Sequence, residues 1–120
     1  MKDKTIELIK ETLIKETEIN DSTVNSVLEF LKPMQRLETF HPNDLIPSLN
    51  ITTETAFLMF KALERKGILY PRFEIVCPIC GNVMQTSDTL FGGIEKKQKC
   101  VHCKAIKHPC IEVVYDVMSD

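Results

Sequence analysis

The sequence predicts an α+β protein, and three observations carry that expectation. Apolar residues recur at helical spacing through residues 3–66. Strict alternation replaces that spacing at Ile111, Val113, Tyr115 and Val117, the pattern of a half-buried strand. Between the two regimes stand two Cys-x-x-Cys pairs, Cys77 with Cys80 and Cys100 with Cys103.

The helices follow in order. Over residues 3–18, Ile6, Ile9 and Leu13 share one face, with Leu8 and Ile14 widening it and Lys and Glu filling most of the remainder. Asp21 or Ser22 is the expected cap of the next helix. Its stripe is Val24, Val27, Leu28 and Leu31. Pro33 either ends this helix or kinks it, and Met34, Leu37 and Phe40 continue a helical spacing beyond the proline. His41-Pro42-Asn43-Asp44 signals a new start, with Pro42 suited to a first turn. Leu45, Ile46 and Leu49 make a short apolar helix that Pro47 limits. Thr52 or Thr53 then caps a long amphipathic helix whose inner face is Ala56, Phe57, Phe60 and Leu63. Lys61, Glu64 and Arg65 face water, and Gly67 closes the helix.

A short helix, a turn and a longer helix end in Ala62-Leu63-Glu64-Arg65-Lys66-Gly67-Ile68-Leu69. Residues 41–76 thereby resemble a winged helix-turn-helix. The resemblance implies a wing: a strand at about Ile68 to Tyr70, a turn at Pro71-Arg72 and a return strand from Phe73 to Val76. With a cysteine-rich module following, the order is similar to that of the transcription initiation factor E family. There such modules bridge polymerase, promoter and partners rather than read sequence. The expected division is 1–40 as N-terminal helices, 41–76 as winged helix-turn-helix and 77–120 as a zinc ribbon.

The cysteine spacing points to metal. A two-residue gap lets both sulfurs of a pair reach one ion, and residues 81–99 suffice to go out and return as a hairpin. Pro78 stiffens the first turn, and Gly81 supplies a positive φ after its second cysteine. Cys77, Cys80, Cys100 and Cys103 are therefore the expected ligands of one structural zinc. A redox motif needs only one pair, and structural disulfides need an oxidising compartment. The strand from Asn82 to Thr86, the return from Ile94 to Lys99 and the strand from Ile111 to Val117 would form a three-stranded antiparallel ribbon. His102 and His108 stand close enough in sequence to substitute as ligands, but four thiolates suffice. The fifth cysteine, Cys110, fits a spare buried thiol.

Several function classes drop out. No run is long enough to span a membrane, and the N-terminus lacks the apolar block of a signal peptide, so a cytoplasmic location is expected. A catalytic zinc keeps an open position, and zinc deaminases add a His-x-Glu signature that is missing. No paired-carboxylate motif or Gly-rich phosphate loop is present, so no enzyme is expected. The net charge is −2, and four thiolates with one Zn²⁺ make the chain more negative still, which disfavours a strong nonspecific nucleic-acid binder.

Two functions stay open. The first is a non-catalytic adaptor or regulatory subunit that binds a partner protein, within a nucleic-acid-associated complex. The alternative is a DNA-binding transcriptional regulator using the helix-turn-helix and the basic ribbon. At the start of the long helix, Thr53, Glu54, Thr55, Phe57 and Leu58 include none of the usual base readers, which favours the first. Candidate contact residues are Leu58, Lys61 and Arg65 on that helix, and Leu90, Phe91, Lys96, Lys97 and Lys99 in the ribbon. The lysines also offset the charge of a four-thiolate cluster. The N-terminal helices supply core, or a face for a homodimer.

Overall fold

Helical periodicity becomes three helices in the computed structural model, which describes residues 1–87 and 98–120. They are α1 (Asp3–Glu16), α2 (Asp21–Leu31) and α3 (Thr53–Arg65). Ile9 and Leu13, the stripe Val24, Val27, Leu28 and Leu31, and the set Ala56, Phe60 and Leu63 are all buried. Met59 and Ala62 join them. Leu8 and Ile14 flank the buried face of α1 but stay in water, 38% and 51% exposed.

The caps are made by short polar side chains. The Asn20 carboxamide oxygen accepts from the Thr23 backbone N–H at 2.8 Å, one residue ahead of the expected Asp21 or Ser22. The Thr52 hydroxyl accepts from the Thr55 N–H at 3.1 Å. At the end of α3, Gly67 N–H bonds Glu64 O at 2.9 Å and Ile68 N–H bonds Leu63 O at 3.1 Å. These two bonds form a Schellman close, and Gly67 takes the φ of +73° that it demands.

Pro33 ends α2 rather than kinking it. Lys32 makes the last helical bond, to Leu28 O at 2.8 Å. The helical spacing of Met34, Leu37 and Phe40 has a different cause: Leu37 turns the chain at φ +73°, and Phe40 lies in a two-residue strand, β1 (Thr39–Phe40). Two 3₁₀ turns follow, Pro42–Asp44 and Ile46–Ser48, each with a proline near its start. The His41 N–H is held by Asp44 Oδ2 at 3.0 Å.

The remaining strands are β2 (Leu69–Val76), β3 (Val83–Ser87), β4 (Gln98–Lys99), β5 (Ile106–Lys107) and β6 (Cys110–Val117). One sheet has the order β1-β6-β2-β3, and β4 pairs with β5 in a second. The wing turn expected at Pro71-Arg72 is replaced by an unbroken β2. Pro71 lies outside the described register with β3, which begins at the Phe73–Ser87 pair, so its missing N–H removes no bond of that register. The three-stranded ribbon is likewise replaced among the described residues: β3 pairs with β2, and β4 with β5. A bulge between Ile75 and Val76 shifts the β2–β3 register just before Cys77. Cys110 is exposed rather than buried: it opens β6, where Glu112 on the same side is exposed too, and burial on that side begins only at Val114.

The chain forms two compact units, 1–70 with 115–120, and 71–114. In the first, Phe40, Phe60 and Tyr115 make a mutual aromatic cluster with centroids 4.9–6.0 Å apart. The Tyr115 hydroxyl hydrogen-bonds Glu64, and burial, then the Glu64 charge, push its proton affinity well above that of an ordinary phenol. The last residues are tied in by Leu37 N–H to Val117 O at 2.6 Å and Met118 N–H to Ile68 O at 2.8 Å. Among the described residues no helix is long and apolar enough to cross a membrane.

Two stability outcomes follow from this unit. Phe60→Ala removes the shared member of the aromatic cluster and lowers unfolding free energy by about 3–5 kcal/mol, read by denaturant melts. Leu37→Gly relieves a left-handed conformation at a side chain 66% exposed, and raises stability by up to about 1 kcal/mol. An unchanged or lower melting midpoint for Leu37→Gly contradicts that assignment.

Candidate metal centre

The two Cys-x-x-Cys pairs fold as the same local turn. In the first, Gly81 N–H donates to Cys77 O at 2.9 Å, and Cys77 N–H donates to Asn82 O at 3.0 Å. In the second, Lys104 N–H donates to Cys100 O at 2.9 Å, and Cys100 N–H donates to Ala105 O at 2.9 Å. Each turn needs a left-handed residue directly after its second cysteine. Gly81 meets that need at φ +75° without strain; Lys104 meets it at φ +65° with a side chain attached.

These turns bring the four sulfurs together. Cys77 Sγ lies 3.7 Å from Cys103 Sγ, and Cys80 Sγ lies 3.6 Å from Cys100 Sγ. All four Sγ atoms lie within 4.8 Å of one another, and all are free thiols. The close contacts cross from one pair to the other, so neither pair forms the cluster alone. A tetrahedron with metal–sulfur bonds of about 2.3 Å has edges of about 3.8 Å. The sulfurs already stand near that spacing, so the donor set fits a single tetrahedral thiophilic ion such as zinc.

The thiols do not hold their protons equally. The Cys77 thiol is lowered, chiefly by the backbone N–H groups of Cys80 and Ile79. Cys80 is lowered to about 6, first by the backbone N–H of Asn82 and then by its side chain, whose Nδ2 stands 3.2 Å from the sulfur. Cys103 goes the other way. The Ala105 backbone N–H favours its thiolate, but desolvation and hydrogen bonding with Cys77, Cys80 and Cys100 outweigh it and push the thiol up to about 11. Metal binding at neutral pH must therefore expel a proton from Cys103.

The other expected site residues are scattered. His102 and His108 are exposed and stand outside the four-sulfur cluster. Leu58 is 62% exposed on α3, and Lys61 is exposed on the same face. Arg65 is engaged with Glu16 at 3.7 Å. Glu16, Thr17, Glu18, Thr55, Leu58 and Arg65 line a shallow hollow in the first unit. Lys99 is exposed in β4. Leu90, Phe91, Lys96 and Lys97 lie outside the described residues. Two features escaped the sequence reading. Asn82 acts on Cys80 from two residues away, and an Asn directly after the Gly81 turn was the available signal. Lys104 gave no signal by type; only its place, matching Gly81 in the other pair, marks it.

Comparison with protein families, with curated proteins and with solved structures returns no match for this chain.

Two outcomes test the site. Zinc titration of the metal-free chain near pH 7, in two buffers of different ionisation heat, gives apparent enthalpies that differ by the release of at least one proton. Equal enthalpies contradict the thiol assignments. Lys104→Gly removes about 1 kcal/mol of backbone strain, and zinc affinity rises roughly fivefold in competition with a chelator.

Proposed function

We propose that the chain is a non-catalytic adaptor or regulatory subunit, stabilised by one structural zinc on Cys77, Cys80, Cys100 and Cys103, that binds a partner protein within a nucleic-acid-associated complex. The observation that carries this reading is the four-sulfur set. Four thiolates fill a tetrahedral shell and leave no position for water or substrate, so the ion's work is structural.

The composition of the second unit supports the same reading. Among its described residues the buried apolar side chains are Ile75, Val76 and Val114, together with Cys77 and Cys100. So small a core leaves the ion a large share of the folding free energy. On the first unit, two 3₁₀ turns stand where the likeness implied a short helix, and α3 follows them. An exposed Leu58 in place of a base reader suits a protein contact. Glu16 and Glu18 stand in the same hollow as Leu58 and Arg65, where they repel phosphate. Reduced thiols fit a cytoplasmic setting. The DNA-binding alternative draws on the exposed Lys61, Lys99, Lys104 and Lys107.

The purified chain is expected to carry one zinc, and cobalt substitution to give the absorption of four sulfur donors around a tetrahedral ion. Chelation is expected to unfold residues 71–114, read by amide exchange. Metal-free protein, or fewer than four sulfur donors, defeats the proposal. Mixed-sequence duplex DNA at physiological salt is expected to bind no tighter than about 10 μM. Submicromolar binding that Lys61→Glu with Arg65→Glu abolishes would instead establish the DNA-binding alternative.

A further inference from the structure

We infer that the cysteine turns of the second unit are a docking surface for a short acidic segment of a partner protein that carries aliphatic side chains. This inference rests on the zinc-stabilised adaptor reading and names the chemistry of its partner.

Among the described residues of this unit, four aliphatic side chains stand in water. Ile79 is 61% exposed, Val101 72%, Ile106 59% and Val83 43%. An isolated exposed aliphatic needs no explanation. These four share one small body. Ile79 adjoins Cys80 and Val101 adjoins Cys100, whose sulfurs are 3.6 Å apart. Val83 and Ile106 each follow the second cysteine of their pair by three residues. Ligation constrains the cysteines and the left-handed residue of each turn. It places no demand on the side chains between, where polar residues would serve the turn as well. Exposed aliphatics at these places point to a use in contact.

The charge beside them selects the partner. Lys99 is exposed and directly opposite Ile106 in the β4–β5 pair, so both lie on one face. The Lys104 ammonium reaches the Val101 carbonyl at 3.0 Å. No Asp or Glu occurs between Gln98 and Ile111. Aliphatic anchors edged by ammonium groups complement a segment in which Asp or Glu alternates with Leu or Ile: the apolar contacts hold it, and the charges steer and register it. A single nucleic-acid strand is matched less well. In residues 77–87 and 98–110 only His102 and His108 could stack on bases, with no Phe, Tyr, Trp or Arg beside them.

The test is selection of a displayed random peptide library, about 16 residues long, against the zinc-loaded full chain. Enriched peptides are expected to be net acidic with aliphatic anchors. Their binding is expected to weaken at least about tenfold in Ile79→Asp with Val101→Asp, and several-fold in Lys99→Glu, with zinc stoichiometry unchanged. Should the aspartate pair lose zinc, Ile79→Ser with Val101→Ser takes its place under the same readouts. The inference is overturned by no enrichment, by enrichment of neutral or basic peptides, by undiminished binding to the zinc-loaded substituted pair, or by an oligo(dT) strand that displaces the peptides. A chain that holds no zinc on four sulfurs defeats the adaptor reading itself; a zinc-loaded chain that fails the selection defeats the docking surface alone.

Discussion

The second unit depends on bringing four sulfurs to one point from two turns far apart in sequence. The close sulfur pairs are 20 and 26 residues apart along the chain, so closing the cluster costs loop entropy before any contact repays it. Each turn lowers that cost locally. The paired hydrogen bonds around Cys77 and Cys100 preset the sulfurs of each turn before the two halves meet. Assembling four thiolates without a cation would be repulsive. Cys103 relieves that repulsion by keeping its proton, and a divalent ion relieves it better.

The first unit is held by different means. Its helices bury continuous apolar stripes, and its aromatic cluster gathers residues from β1, α3 and β6. The buried phenol of Tyr115 keeps its proton and donates a hydrogen bond to Glu64, which satisfies the hydroxyl. Packing, not a metal, orders these residues. An ion held by the four sulfurs would therefore matter most to residues 71–114, where the buried apolar set among the described residues is small.

Both units spend apolar surface on water. Leu58 does so on α3 and Ile79, Val101 and Ile106 on the second unit.

The sequence by itself determined what depends on neighbours along the chain. The buried stripe of α2, three of the buried residues of α3, the Gly67 close, Thr52 as one of two candidate caps and the four candidate ligands were legible, because helical period, capping chemistry and Cys-x-x-Cys spacing are local. Three matters needed the tertiary structure. Alternation marked the last strand but could not name its partners, so the setting of residues 115–120 in the helical unit and the division of the ribbon strands between two sheets were invisible. Pro71 read as a turn because proline punctuates chains, yet an extended strand accepts proline wherever its N–H is not needed. Residue type likewise could not reveal that Ile79, Val101 and Cys110 face water. Exposure is decided by which segments come to cover a side chain, and that follows from contacts distant in sequence.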